Sequence, residues 1–326
     1  MLRIDHHEVP NGDGWMLSLR RTLETRKLDS KKDPLMIIPG YGMNSFIFGF
    51  HPRGTSMEAT LAERGFEVWS VDLRAQGRSR SIGGSMRYSL DDLVLHDVAS
   101  AVRGVIEHTE TETDKVDLIG CSLGATMMFA HVVCNQDHHI GRMVNMGGPV
   151  RWVNIHPLLK LAFTSPKLVG MLPIRGTRHM ASVALPALKR APRLLSVYLH
   201  PGIVDMSQAR QLIRTVENPN RFVNQDIARW IKLGDPIIGG RNVAEGLRDV
   251  QLPLLTVIAN ADGIVPRDTT IWPHENMGGE HRDVLEVGTS SLPVAHADMF
   301  VSDHAPELVF NPLGDWLEGN GWSKRQ

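Results

Sequence analysis

The 326-residue chain has little of what marks several protein classes. It has only two cysteines, Cys121 and Cys134, which cannot form a disulfide framework. The N-terminus lacks the apolar core of a signal peptide, and no apolar run approaches the ~18 residues needed to cross a bilayer. No Gly-x-Gly-x-x-Gly or phosphate-binding loop follows a predicted strand. We therefore expect a cytoplasmic protein that binds no nucleotide cofactor.

Histidine is abundant, with fifteen residues, but its spacing does not indicate a metal site. His6 and His7 are adjacent, as are His138 and His139, so the side chains of each pair diverge. No His-x-x-x-His spacing places two imidazoles on one face of a helix. We expect no metal and no other cofactor.

Charge is distributed unevenly, although the net charge is only −1. Residues 151–244 contain fourteen Lys or Arg and four Asp or Glu, and they read as helices broken by repeated prolines. We expect residues 1–150 and 245–326 to form one core, with 151–244 inserted as a helical cap. Its cations suit a solvated helical face, with peripheral contact to anionic lipid as the alternative. No nucleic-acid-binding module is recognisable in it.

Short apolar runs alternate with helix-like segments outside the basic stretch. An antiparallel hairpin is expected around the Asn11-Gly12 turn. The runs that follow have short connections, which predicts parallel strands with helical crossovers. The sequence thus predicts an α/β fold with a mostly parallel central sheet flanked by helices, and a closing helix from Ala305 to Glu318. These further strands begin near Pro34, Phe66, Val116, Arg142, Leu252 and Asp283.

Capping residues mark the start of two helices. Thr55 and Glu58 have the spacing of a capping box, for a helix that ends at Gly65. Ser89 precedes a long helix whose apolar residues keep the 3.6-residue period. Asp97 falls on this second helix, where we expect a solvated or capping charge.

The sequence Gly120-Cys121-Ser122-Leu123-Gly124 stands between a predicted strand and a predicted helix. Gly-x-Ser-x-Gly in that position is typical of a tight turn that presents a serine nucleophile. The strained turn needs small residues two positions away on each side, and the two glycines meet that need. The Leu123 amide, at the start of the helix, would face the oxygen of a reacting carbonyl. On this motif alone, an ordinary Gly-Ser turn is an equal alternative.

Further polar groups follow other predicted strands. The Tyr41 amide lies in a glycine-bearing loop and would supply a second oxyanion donor if its strand neighbours that of Ser122. Asp262 and His296 follow the last two strands, and ligands bind at the carboxyl ends of strands in such sheets. A serine needs an imidazole base, and the imidazole needs a carboxylate to fix its tautomer. Ser122, His296 and Asp262 therefore fit a catalytic relay.

Competing residues fit these roles less well. His281 precedes the last predicted strand, so we expect it at the opposite end of the sheet from Ser122. Asp268 and Asp298 are expected to be structural or solvated charges.

With these motifs taken together, the sequence resembles the α/β-hydrolase superfamily, over most of its length apart from the cap. The residues that carry the resemblance are the Gly120–Gly124 motif, the Pro39–Gly42 loop, Asp262 in an Asp-Gly-Ile-Val-Pro context, and His296. The resemblance implies these roles: Ser122 as nucleophile, His296 as base, Asp262 as acid, and the Tyr41 and Leu123 amides as oxyanion hole.

Two departures from the family pattern are visible. Many members have His-Gly where this chain has Pro39-Gly40, so the histidine side chain is missing while the backbone donor is kept. The stretch from Asn44 to Arg80 also looks somewhat like lipases and polyhydroxyalkanoate synthases. The synthases place cysteine at the nucleophile position, whereas here that position is Ser122 and Cys121 precedes it. We therefore disfavour polymer synthesis.

The expected function is that of a serine hydrolase, which cleaves a carboxylic ester of an apolar substrate through an acyl-enzyme. An acyltransferase or thioesterase with the same triad is one alternative. A non-catalytic binding protein on this fold is another, because fold alone does not determine function. The sequence leaves the oligomeric state open.

Overall fold

A computed structural model describes residues 1–163, 176–188 and 195–319. The chain begins with two long strands and then alternates strands with helices. The strands are β1 Leu2–Pro10, β2 Trp15–Glu24, β3 Leu35–Ile38, β4 Val68–Asp72, β5 Arg80–Ser81, β6 Val116–Cys121, β7 Ile140–Met146, β8 Ile237–Ile238, β9 Arg241–Asn242, β10 Leu254–Ala259 and β11 Arg282–Val287.

Helices of varied length separate and follow these strands. The α-helices are α1 Met57–Glu63, α2 Leu90–Asp92, α3 Ala99–His108, α4 Leu123–Cys134, α5 Pro157–Ala162, α6 Thr177–Leu188, α7 Ala209–Leu212, α8 Arg221–Leu233, α9 Val243–Gly246, α10 Arg267–Asn276, α11 Asp298–Val301 and α12 Asn311–Leu317. The 3₁₀ turns are Ser45–Gly49, Met206–Gln208, Ile213–Thr215 and Leu247–Asp249, and π-helical turns cover Leu93–Val98 and Pro306–Phe310. Within this described part, no helix combines the length and apolar character needed to cross a membrane.

The main sheet has the strand order β1-β2-β4-β3-β6-β7-β10-β11, and β5 pairs with β2. β1, β2 and β4 pair antiparallel, and the pairs from β4 through β11 are parallel. The expected hairpin and mostly parallel sheet are therefore confirmed. Since β3 lies directly beside β6, the loops that leave these two strands meet at one edge of the sheet.

Each face of the sheet is covered by a buried apolar layer. Alternate residues of β6 point to opposite layers, with Leu118 in one and Ile119 and Cys121 in the other. The first layer includes apolar residues of α3 and α4, and the second includes those of α1 and α12. This two-sided burial explains why the parallel strands read as continuous apolar runs.

One predicted helix start is wrong by a residue. Ser56, not Thr55, caps α1, because its extended backbone places Oγ 3.3 Å from the Ala59 amide. Glu58 cannot complete a capping box, since its buried carboxylate pairs with Arg20. The cap at Ser89 is confirmed, and its box is completed by Asp92.

The expectation that Asp97 is solvated is also wrong. Its side chain is fully buried and accepts hydrogen bonds from Arg74 Nη2 at 2.8 Å and Asn11 Nδ2 at 2.6 Å. Arg74 follows β4 and is itself only 1% exposed. The helical pattern could not reveal this pair, because the partners come from distant parts of the chain.

Replacing Asp97 tests how much this buried pair matters. We expect Asp97→Ala to lower the free energy of unfolding by about 3–5 kcal/mol, because it leaves the Arg74 guanidinium buried with Asp13 as its remaining carboxylate partner. Urea denaturation at neutral pH measures the change. Asp137→Ala, an exposed acid, is the control and should stay within about 0.5 kcal/mol of the parent. Equal midpoints for the two variants would contradict the prediction.

The basic stretch contains more than helices. Besides α5 to α8, this stretch contains a small antiparallel hairpin of β8 and β9, which the sequence did not indicate. Three of the prolines expected to interrupt helices, Pro166, Pro173 and Pro192, lie outside the described residues.

Candidate active site

Ser122 lies at the corner between β6 and α4. Its backbone angles are φ 54° and ψ −122°, a conformation that non-glycine residues rarely adopt. The Ser122 amide donates to the Met146 carbonyl of β7 at 2.9 Å, and the Ser122 carbonyl accepts from Ala125 at 2.9 Å. These bonds hold the strained residue in place, as the strand–turn–helix pattern predicts.

The glycines on either side of Ser122 have no room for a side chain. A Cβ atom on Gly120 would lie 2.3 Å from Ala125 Cα, and one on Gly124 would lie 2.2 Å from the Ile38 carbonyl oxygen. Both contacts are with backbone atoms, which cannot move aside. The small residues are therefore a steric requirement of the turn and of its packing on β3.

His296 and Asp262 are joined by a short hydrogen bond. His296 Nδ1 donates to Asp262 Oδ2 at 2.6 Å, and the two side chains are only 6% and 2% exposed. The other oxygen, Asp262 Oδ1, accepts from the amides of Ile264 and Val265 at 2.8 and 2.9 Å. These bonds fix the carboxylate, and the carboxylate fixes the tautomer that leaves His296 Nε2 as the acceptor.

A Gly147-Gly148 turn after β7 lies between the serine and this pair. A Cβ on Gly147 would be 3.1 Å from His296 Cε1, and one on Gly148 would be 2.6 Å from the Ser122 carbonyl oxygen. Both groups thus flank one tight turn at the same sheet edge. Within residues 1–163, 176–188 and 195–319, Ser122 Oγ has no hydrogen-bond partner, so the structure pairs His296 with Asp262 only.

The loop after β3 lies directly against the serine turn. A Cβ on Gly40 would be 3.0 Å from Ser122 Cβ, so the next residue, Tyr41, is close to Ser122. Tyr41 and Leu123 line the same cavity of about 30 Å³. Met127 and Val223 border the same cavity, so apolar side chains lie beside the Tyr41 loop.

Residues 214–224 brace this loop from the other side. The Tyr41 hydroxyl donates to Asn224 Oδ1 at 2.5 Å, and burial raises the pKa of the Tyr41 phenol, which keeps it a neutral donor. Met43 and Val216 form an isolated antiparallel β-bridge, and the Glu217 amide donates a hydrogen bond to the Gly42 carbonyl at 2.8 Å. Sequence reasoning missed these contacts, because no local pattern links positions so far apart.

A second segment, residues 195–204, contacts the loops that carry Asp262 and His296. The Tyr198 ring lies 6.1 Å from the His296 ring, measured between centroids. The Tyr198 carbonyl accepts from the Ala297 amide at 2.8 Å, and the Val197 carbonyl accepts from the Gly263 amide at 3.1 Å. The sequence gave no sign of these contacts either.

Comparison with known proteins places this arrangement in a family. The model of the Alpha/beta hydrolase family matches residues 35–309. The chain belongs to the α/β hydrolase family. Its mostly parallel sheet flanked by helices is the fold of that family.

Two curated lipases match parts of this α/β hydrolase. It is 25% identical over 181 residues to the lysosomal acid lipase/cholesteryl ester hydrolase of Rattus norvegicus, a match over 51% of this chain and 43% of the relative. It is 26% identical over 141 residues to triacylglycerol lipase 2 of Arabidopsis thaliana, over 39% of this chain and 33% of the relative. The matches span less than half of either relative.

Solved structures of the same fold cover nearly the whole α/β hydrolase chain. An esterase from Rhodococcus sp. ECU1013 superposes with a TM-score of 0.64 at 16% identity, over 97% of this chain and 99% of that one. The 2-hydroxy-6-oxo-6-phenylhexa-2,4-dienoate hydrolase of Rhodococcus sp. strain RHA1 gives 0.63 at 17% identity, over 98% and 99%. At these identities the likeness establishes the fold alone.

The competing residues of this α/β hydrolase occupy other positions. The His281 carbonyl accepts from the amide of Leu254, the first residue of β10, which places it at the opposite sheet edge from Ser122. Asp268 is exposed and accepts from Asn154. Burial raises the pKa of the Cys121 thiol well above its usual value, so this cysteine is not a thiolate nucleophile.

One grouping of possible metal ligands occurs among the described residues of the hydrolase. Oxygen or nitrogen atoms of Asp13, Asp92 and His96 lie within 4.8 Å of one another. Asp92 already completes the cap with Ser89, and Asp13 already pairs with Arg74. These contacts account for both carboxylates.

The larger grooves of the hydrolase lie away from the candidate residues. One of about 790 Å³ is lined by residues of 132–138 and 241–252, and one of about 820 Å³ borders β11. Neither is lined by Ser122 or by any of the other four candidate residues.

Proposed function

We propose that this α/β hydrolase is a serine hydrolase that cleaves carboxylic esters through an acyl-enzyme. The observation that carries the proposal is the 2.6 Å bond between buried His296 and Asp262, on the same sheet edge as strained Ser122. A base oriented by a fixed carboxylate, next to a serine held in a strained turn, is the arrangement that activates a hydroxyl nucleophile.

In the proposed reaction, His296 Nε2 takes the Ser122 proton as Oγ attacks the ester carbonyl. Asp262 stabilises the imidazolium, and the Tyr41 and Leu123 amides donate to the oxyanion. Collapse of the tetrahedral intermediate breaks the bond to the alcohol, which leaves with the proton from His296. Water then attacks the acyl carbon while His296 takes its proton, and the acid is released as Ser122 Oγ regains a proton.

The apolar character of the substrate is supported by the surroundings of Tyr41. Phe163 packs edge-on against the Tyr41 ring at 6.2 Å, and Met127 and Val223 line the adjoining cavity. The curated relatives are lipases, which act on apolar esters by their names. In this proposal, residues 151–244 form a cap that holds the acyl or alcohol part of the ester.

Two contact sets support that role for residues 151–244. Residues 195–204 touch the acid and base loops, and residues 214–224 touch the Tyr41 loop. A cytoplasmic location and contact of the basic residues with anionic lipid stay predictions.

A fluorophosphonate probe followed by mass spectrometry tests the proposal. We expect one adduct per chain, on Ser122, because only an activated serine attacks the probe phosphorus at neutral pH. Ser122→Ala should carry no adduct, while Ser291→Ala, which changes an exposed serine on the loop after β11, should label like the parent.

A series of p-nitrophenyl esters of increasing chain length completes the test. The dependence of turnover on chain length would show how long an acyl chain the site accommodates. Product formed as a new ester on addition of an alcohol, at the expense of free acid, would indicate acyl transfer instead. An adduct on another residue, or no adduct and no turnover, would refute the proposed function.

A further inference from the structure

Asp298 is a buried carboxylate two residues after His296. It is the first residue of α11 and has no exposed surface. Its Oδ2 accepts from the Ala295 amide at 2.7 Å, and its two oxygens accept from the His200 amide at 3.0 and 3.1 Å. One carboxylate thus ties the residue before His296 to the segment 195–204.

The backbone around His296 is held on both sides. The Asp298 amide donates back to the Ala295 carbonyl at 3.1 Å, which closes a tight turn around the histidine. On the other side, the Ala297 amide donates to Tyr198 of the same segment. Movement of the backbone that carries His296 away from Asp262 would therefore break hydrogen bonds to residues 195–204.

We propose that Asp298 is a positioning residue that keeps His296 at hydrogen-bond distance from Asp262. It does so by binding the loop around His296 to residues 195–204, and we call this set of contacts the clamp. The inference rests on the proposed function, in which His296 is the general base. Asp298 touches neither substrate nor reacting atoms in this scheme, and acts through the loop alone.

Only a carboxylate meets the demands of this position. Both of its oxygens face amide donors, so the amide group of an asparagine would turn one N–H donor toward another. A charged acceptor also makes stronger bonds to these amides than a neutral one does. Asp298 therefore provides two acceptor oxygens and a negative charge, and a neutral side chain of the same size would not replace it.

The clamp depends on the charge of Asp298 and hence on pH. Burial, and to a smaller extent the negative charge of Asp262, raises the pKa of Asp298 to about 6, although the hydrogen bonds from Ala295 and His200 act to lower it. The charged or titratable groups that face it are Asp262, His200, Tyr198 and His296. As pH falls through about 6, the carboxylate is neutralised and the charge-assisted bonds weaken.

Kinetics of the parent and of Asp298→Asn test the proposal. We expect the variant to lose about 10- to 100-fold in kcat with little change in KM, because a small misplacement of the base slows chemistry more than binding. In the parent, the acid limb of log(kcat/KM) should be steeper than the slope of one that a single general base gives, because loss of the Asp298 charge near pH 6 adds a second protonation. In the variant the slope should fall to one.

The matched control is Asp303→Asn. Asp303 is an exposed acid five residues further on, whose carboxylate pairs with Arg53, and its variant should keep the parent kcat and slope. Proton NMR gives a readout that needs no substrate. The proton between His296 Nδ1 and Asp262 should resonate far downfield in the parent and in Asp303→Asn, and be shifted or broadened in Asp298→Asn.

These outcomes separate the inference from the proposed function. An inactive parent that the probe does not label would refute the function, while the NMR comparison would still test the clamp. If Asp298→Asn keeps the parent's kcat, the parent's slope of log(kcat/KM) against pH and the parent's downfield proton resonance, the clamp is overturned and the proposed function is not affected. If the variant does not fold, a parent slope of one would overturn it.

Discussion

Ser122→Ala is expected to lower kcat/KM for an ester by about 10⁴- to 10⁶-fold, because no other group can form the acyl-enzyme. The loss should appear in kcat, since the substrate still meets the cavity and the backbone donors. Steady-state kinetics with a p-nitrophenyl ester, corrected for spontaneous hydrolysis, measures it.

His296→Ala should cost about as much as Ser122→Ala, and the double variant should lose little more. Residues that act as one unit give strongly non-additive effects, because the nucleophile is inactive without its base. Losses that multiply in the double variant would show that Ser122 and His296 act separately. Ser291→Ala is the control and should retain parent activity.

Asp262→Asn is expected to lower kcat by about 10³- to 10⁴-fold, because an amide cannot hold the tautomer of His296 that takes the serine proton. The loop should stay folded, since the Ile264 and Val265 amides still find an acceptor in the asparagine oxygen. Kinetics across a pH series measures the effect, with circular dichroism as a check on folding.

Asp268→Asn is the matched control for this variant. Asp268 lies six positions further along, is exposed, and contacts Asn154 rather than His296. Its kcat should equal that of the parent. A similar loss in both variants would mean that Asp262 acts through the fold of its loop and not through the histidine.

The sheet edge that carries the site could be predicted from the sequence, for a definite physical reason. In a parallel sheet with short crossovers, every strand must end on the same side, so groups placed after β3, β6 and β10 converge. The need for glycine at positions 120 and 124 was likewise predictable, because a tight strand-to-helix turn leaves no room for a side chain at either position.

Contacts between distant segments could not be predicted in this way. Asp97 is buried against Arg74, and Glu58 near the start of α1 pairs with Arg20 instead of forming the expected capping box. Arg74 follows β4 and Arg20 lies in β2, both far along the chain from their partners, so the local periodicity of the sequence gives no sign of either pairing. The bonds of Asp298 to His200 escaped prediction for the same reason.

The bracing of the Tyr41 loop by residues 214–224 limits how this chain can diversify. Asn224 and Val216 lie within the proposed cap, and both contact the Tyr41 loop. If the Tyr41 amide is the proposed oxyanion donor, exchanging the cap for one that lacks these two partners would alter that donor together with the acyl site, so specificity and rate would change together.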